Sequence, residues 1–240
     1  HKVQILEYRS DQPGPRPAVV VTPMFGGRQP IARRLGPALA RRGVHAAVVL
    51  RAERYLVGEA PPERLERVLR TAVIDRRRTL DWLSAQSHVD PERLGALGVS
   101  LGGLGTALLC ATDARVKAGV LVLAGGGLET LIPSSRERRA VEFVEAWRAR
   151  GVDSRALQAK LELAIHSDPL ALAGSLDPAA LLFVTARRDE DVPSANQELL
   201  WEAAGRPERY SLPTGHASSA VYAPWLVPLC LDWLEARLSD

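Results

Sequence analysis

The chain has 240 residues, enough for one α/β domain of ordinary size, and its 46% hydrophobic and 25% charged residues are those of a folded globular protein. That composition excludes disorder, collagen-like repeats and a disulfide scaffold, and no apolar run approaches the roughly 20 residues of a membrane helix. Its 31 basic and 28 acidic side chains leave a net charge of only +3, too small to imply a nucleic-acid partner.

In chain order, seven short apolar segments read as strands: residues 3–8, 18–22, 46–50, 94–99, 118–123, 181–186 and 208–212. Several are apolar throughout, as strands covered on both faces must be. Between them lie amphipathic stretches over residues 30–42 (closed by Gly43), 62–86, 101–112, 194–204 (closed by Gly205) and 220–238. This alternation predicts an α/β fold: a mostly parallel, doubly wound sheet with helices on both faces, in one domain spanning residues 1–240. Residues 128–176 break the alternation with two helical patterns, 135–150 and 154–166, separated by Gly151. They read as a helical, cap-like insertion, because ligands bind beyond the carboxyl ends of sheet strands. Within it, Leu131 and Trp147 are candidate apolar contacts for a bound group. The arginine runs at 76–78 and 136–139 read as solvated helix surface, the second interleaved with Glu137 and Glu142.

Two cysteines, Cys110 and Cys230, sit inside apolar segments and read as buried free thiols; their spacing does not demand a bridge and forms no metal cluster. The chain shows no basic and apolar leader, so a cytoplasmic location is the default expectation, and an exported protein with its leader removed would look the same.

The residues that carry chemistry begin with Gly98-Val99-Ser100-Leu101-Gly102, followed by Gly103. A bare G-x-S-x-G arises by chance in on the order of one in ten chains of this size. Here it follows a predicted strand and opens a predicted helix, the setting in which a serine is held on a strained turn with its hydroxyl exposed. The alternative is a tight glycine turn carrying an idle serine. A serine hydroxyl is a poor nucleophile without a base, and five histidines are available. His1 is terminal, His45 lies at a strand edge, His88 precedes a surface turn and His166 is in the insertion. His216 stands in Pro213-Thr214-Gly215-His216, in the loop directly after the last predicted strand, and is the candidate base. A base of this kind needs a carboxylate to fix its tautomer, and the loop after residue 186 offers Asp189, Glu190 and Asp191, with Arg187 and Arg188 beside them to favour ionisation.

With these loops in place, nearly the whole chain from Ala18 to Leu238 resembles the α/β hydrolases. Ser100, the acidic loop and His216 follow one another in the order of that fold. The Gly-Val-Ser-Leu-Gly-Gly elbow, the 189–193 loop and Gly215-His216 are most similar to the dienelactone hydrolase and acetylxylan esterase-like branch. The resemblance implies that Asp189, three residues before Val192-Pro193, is the acid, with Asp191 second. It also implies an oxyanion hole built from the backbone N–H groups of Leu101 and Phe25, the latter in Pro23-Met24-Phe25-Gly26-Gly27, with Met24 as donor if the register shifts by one. The family's dienelactone hydrolases proper carry a cysteine where this chain has Ser100, which favours ordinary ester hydrolysis. The implied activity is cleavage of small carboxylic esters through an acyl-enzyme, with no cofactor, no metal and no nucleic-acid partner. Thioester or amide hydrolysis uses the same groups, and a catalytically idle fold that binds a ligand is the rival from another class. Oligomeric state is not legible in the sequence.

Overall fold

The structure is a computed structural model that describes residues 2–22, 30–50 and 54–239. Its elements run in chain order as β1 (Gln4–Tyr8), β2 (Arg16–Thr22), α1 (Pro30–Arg41), β3 (His45–Leu50), α2 (Pro62–Ser84), β4 (Val89–Val99) and α3 (Leu101–Thr112). There follow β5 (Val116–Val122), α4 (Leu128–Ser134), α5 (Arg138–Ala149), α6 (Ser154–Ala164), β6 (Leu181–Ala186), α7 (Ser194–Ala203), β7 (Glu208–Leu212) and α8 (Ala223–Leu238). Among the described residues the strands form one sheet in the order β1-β3-β2-β4-β5-β6-β7. Only β1 is antiparallel to its neighbour; the other five pairings are parallel.

The sequence makes this arrangement because each central strand is apolar on both sides. On β2, Val19 and Val21 point into a cluster shared with α1 (Leu35, Leu39) and α8 (Leu231, Leu234). Ala18 and Val20 point to the other face, against Leu80 and Leu83 of α2 and Leu109 of α3. Further along that second face, Leu121 and Phe183 meet Ala107 of α3 and Leu200 of α7. A sheet buried this way has no polar face to show water, which is why the strands read as continuous apolar runs. The chain runs from β2 outward to β3, then crosses back to β4 on the opposite side of β2. The order therefore reverses between β2 and β4, and the crevice at such a reversal is where open α/β sheets bind ligands.

All seven expected strands are present, with ends moved by a few residues. The largest change is in β4, which begins at Val89 rather than Leu94 because Val89 pairs with Arg16 before the register shifts. The insertion holds three helices where the sequence suggested two. α4 (LETLIPS) was missed because it is only seven residues long and contains Pro133. Its start is held by the buried Asp168 carboxylate, which accepts hydrogen bonds from Gly127 N (3.0 Å) and Leu128 N (2.5 Å). Helices α5 and α6 carry their own caps, Glu137 accepting from Arg139 N and Ala140 N and Asp153 from Ala156 N. No helix of the described residues is long and apolar enough to cross a membrane. Both cysteines are free, and burial pushes each thiol up to about 12.

One sequence expectation about charge needs correction. Arg76 is not solvated surface: it is 4% exposed, donates from Nε to Thr22 Oγ1 (3.1 Å) and lies against Gly105, where a Cβ would come within 2.6 Å of its guanidinium. His45 opens β3, at the strand edge where the sequence placed it, and is buried there. Its Nδ1 accepts from Ser10 N (3.0 Å) and its Nε2 donates to His88 O (2.9 Å), a set of partners that only the neutral ring satisfies.

Burial, as the largest cause, holds the His45 pKa below its ordinary value, against opposing contributions from the His88 carbonyl and Glu7. The unfolded chain therefore takes up the proton more readily, and stability that is complete above about pH 6.5 declines as the pH falls through the folded-state value below it. Chemical denaturation followed between pH 8 and pH 5 is expected to show this decline in the wild type, and a shallower one in His45→Gln.

Candidate active site

Ser100 occupies the single residue between β4 and α3, with φ 58° and ψ −123°, a conformation that costs a non-glycine residue of order 1–3 kcal/mol. The turn is over-determined by its neighbours. Ser100 N donates to Val122 O on β5 (2.7 Å), and Leu104 N returns to Ser100 O (3.0 Å) to start the helix. A Cβ on Gly98 would stand 2.2 Å from Gly102 O, and one on Gly103 would stand 2.9 Å from Val122 O. Helix α3 can pack this close to β4 and β5 only with glycine at both positions. Leu101 is the first residue of α3, so its N–H has no partner within the helix and stands at the positive end of the helix dipole.

Two further loops leave the same carboxyl edge of the sheet. After β6 the chain turns so that Asp189 is buried, 3% exposed, while Arg187, Arg188 and Glu190 point to solvent. Each oxygen of the Asp189 carboxylate takes two donors: Oδ1 accepts from Asp191 N (3.0 Å) and Val192 N (2.9 Å), and Oδ2 from Gln197 Nε2 (2.9 Å) and His216 Nδ1 (2.7 Å). Neither Arg187 nor Arg188 is among the described hydrogen-bond partners of Asp189. Asp191, the second candidate, contributes its backbone to the loop instead. Its N–H serves Asp189, and its carbonyl accepts from Ser135 Oγ (2.5 Å).

His216 follows β7 and opens a short 3-10 turn over Ala217–Tyr222. Its loop is fastened to the acid loop, Arg188 N donating to Thr214 O (2.9 Å), and braced internally by Ser219 Oγ donating to Gly215 O (2.7 Å). The structure thus joins Asp189 to His216 directly and sets Ser100 on the elbow of β4, whose strand runs parallel to β5 and, through it, to β6 and β7. Phe25 and Met24 lie outside the described residues.

Ser100 lines a cavity of about 100 Å³ that opens to solvent. Its walls are apolar and come from α2 (Leu65, Leu69), from Tyr55 and from Leu128, Leu131 and Ile132 of α4. Ser135, Glu137, Arg139 and Asp191 supply the polar part of the lining. Leu131 is therefore where the sequence placed it. Trp147 does not reach the cavity; it packs beside Phe143, with ring centroids 6.3 Å apart, inside the cluster that joins the insertion to α2. No group of three or more His, Cys, Asp or Glu among the described residues is placed to hold a metal ion.

Sequence reasoning missed Gln197 and Arg76. Both are long polar residues on the buried face of an otherwise amphipathic helix, and that misplacement in the polar pattern was the available signal.

No family model matches the sequence, and no curated protein matches it either. The fold, however, is matched by many solved structures. A cold-adapted esterase from an Arctic intertidal metagenomic library superposes with a TM-score of 0.64 at 15% identity, over 98% of this chain and 88% of that one. The α/β hydrolase GrgF from Penicillium sp. sh18 gives 0.69 at 13% identity over the full length of both chains. An acetyl xylan esterase from Paenibacillus sp. R4 gives 0.68 at 17% identity, over 94% and 78%. The chain has the α/β-hydrolase fold.

The crowding at Gly98 sets a test of the elbow. Gly98→Ala is expected to lower unfolding stability by about 3 kcal/mol or more, because the obstructing atoms are backbone. Gly174→Ala, where nothing lies within 4 Å of the added carbon, should change it by less than about 1 kcal/mol; urea unfolding of the two variants makes the comparison.

Proposed function

We propose that this protein is a serine hydrolase of carboxylic esters, with Ser100 as nucleophile, His216 as base and Asp189 as the group that orients the base. The observation that carries the reading is the 2.7 Å hydrogen bond from His216 Nδ1 to the fully buried Asp189 carboxylate, at the sheet edge where Ser100 is held in a strained turn beside an apolar cavity. A carboxylate on Nδ1 fixes the ring so that Nε2 is the nitrogen free to exchange a proton with a serine hydroxyl.

In the proposed reaction, Ser100 Oγ attacks the ester carbonyl carbon while His216 Nε2 takes the hydroxyl proton. The carbonyl π electrons move to oxygen, and the Leu101 N–H donates to that oxyanion; the second donor expected from the sequence is Phe25 N–H. Collapse of the adduct breaks the carbon–oxygen bond to the alcohol, which leaves with the proton from His216. Water, deprotonated by the same nitrogen, then attacks the acyl-enzyme and releases the acid and Ser100. Asp189 stays ionised and stabilises the imidazolium formed in both halves. Neither metal nor organic cofactor enters these steps.

The apolar walls of the cavity make its occupant an uncharged group with several carbons, and residues 128–176 serve as the cap that supplies much of that wall within a single domain. The esterase names among the solved structures of this fold support the same reaction class. The partner is accordingly a small-molecule ester.

Hydrolysis of p-nitrophenyl esters from acetate to decanoate tests the reading. The wild type should turn over members of the series, with Ser100→Ala and His216→Ala each lowering kcat by about 10⁴-fold or more while the fold is kept. A fluorophosphonate should label the wild type at Ser100; a folded protein that neither hydrolyses nor labels overturns the assignment. Leu131→Trp, which fills the cavity, should shift the optimum to shorter chains, lowering kcat/KM for octanoate relative to acetate by about tenfold or more.

A further inference from the structure

Among the described residues, one side chain besides His216 donates a hydrogen bond to the Asp189 carboxylate: Gln197, on the first turn of α7 and 1% exposed. We infer that Gln197 is a positioning residue for the acid and histidine: by donating to the same oxygen that receives His216 Nδ1–H, it sets both the place of that oxygen and the strength of its hold on the imidazole proton. The inference rests on the reading of Asp189 and His216 given above.

The orientation of the Gln197 amide follows from its partners. Nε2 donates one proton to Asp189 Oδ2 (2.9 Å) and the other to Val192 O (2.7 Å), and Oε1 accepts from Ala186 N (3.0 Å). The flipped amide would oppose a carbonyl oxygen and a carboxylate oxygen with its own oxygen and set NH₂ against the Ala186 N–H. All three contacts fail together in that orientation, so the side chain has one state. The same amide spans the acid loop, from the last residue of β6 to Val192. Asp189 Oδ1 is tied to the backbone of its own loop, whereas Oδ2 depends on a residue eight positions along the chain.

An amide in this place differs from a charged or an apolar one. A second carboxylate would repel Asp189, and a cation would compete with the imidazolium for it. A neutral donor withdraws part of the charge from Oδ2, so the carboxylate orients the ring without holding its proton too tightly for delivery to the leaving alcohol. Removing the donor leaves more charge facing the ring, stabilises the imidazolium and raises the pH at which His216 titrates.

Gln197→Met keeps the length of the side chain and deletes the donor. With ¹⁵N-labelled protein, the His216 titration followed by NMR should move upward by about half a pH unit or more relative to the wild type. For an ester the wild type hydrolyses, kcat should fall about tenfold with KM within twofold, the acid limb of the pH profile moving in step. A folded variant whose His216 titration is unmoved overturns the inference and leaves Gln197 as packing for the loop. Should the variant not fold, the wild type decides: the Gln197 side-chain amide resonances should follow the His216 titration because the two share one oxygen, and resonances that do not move overturn the inference. These readouts need no turnover, so a protein that hydrolysed no ester would defeat the proposed function without deciding the role of Gln197.

Discussion

The backbone at Ser100 is the constraint on which the site depends. Its φ of 58° turns the chain from β4 into α3 with no intervening loop, and that turn exists only while Gly98 and Gly103 let the helix pass against the backbone of β4 and β5. The strain is held by ordinary bonds on both sides: Ser100 N on Val122 O and Leu104 N on Ser100 O. Because β4 is central in the sheet, with β2 and β5 paired to it, the position of the serine is fixed by the most buried part of the molecule. A side chain on such an element is held more precisely than one on a loop.

Around that fixed point the remaining groups are carried by loops that brace one another. The acid loop receives Arg136 N on Glu190 O (2.7 Å) and Ser135 Oγ on Asp191 O, both from the insertion, and it gives Arg188 N to the histidine loop. Helix α7 joins the same network: Asn196 Nδ2 donates to Gly126 O and Thr130 Oγ1, while Gln197 holds the acid. The cavity wall and the carboxylate are thus fastened to adjacent residues of one helix. Buried polar groups are costly unless satisfied, and here Asp168, Asp189, Asn196 and Gln197 each have at least one hydrogen-bond partner from another segment. Such a network has a single arrangement in which all its members are paired.

Much of this was legible in the sequence. Seven apolar segments separated by amphipathic ones define a parallel sheet, since covering both faces removes the polar alternation that an antiparallel sheet would show. The elbow was readable because its glycines answer a local steric demand, and His216 because it follows a strand and lies next to a glycine. The carboxylate that meets His216 was not decided locally: Asp189, Glu190 and Asp191 are adjacent and chemically alike, and the resemblance to a family was needed to choose among them. Folding separates them by burial, sending Asp189 inward against His216 and using Asp191 only for its backbone.

What the sequence determined by itself was therefore the class of fold, the order of the chemical groups along the chain and the turn that carries the serine. These depend on periodicity and on steric demands within a few residues. Tertiary structure decided the remainder: which carboxylate meets the histidine, that Arg76 is buried against Thr22 and Gly105, that Leu131 faces the cavity while Trp147 does not, and that Gln197 holds the acid. Most of these are contacts between segments distant in sequence, the Gln197–Asp189 pair joining a helix to the loop just before it, and side chains of the same type are interchangeable until packing assigns one of them to the interior. The short helix over Leu128–Ser134 belongs with them, since it is too brief to be stable alone and owes its start to the buried Asp168, 40 residues away.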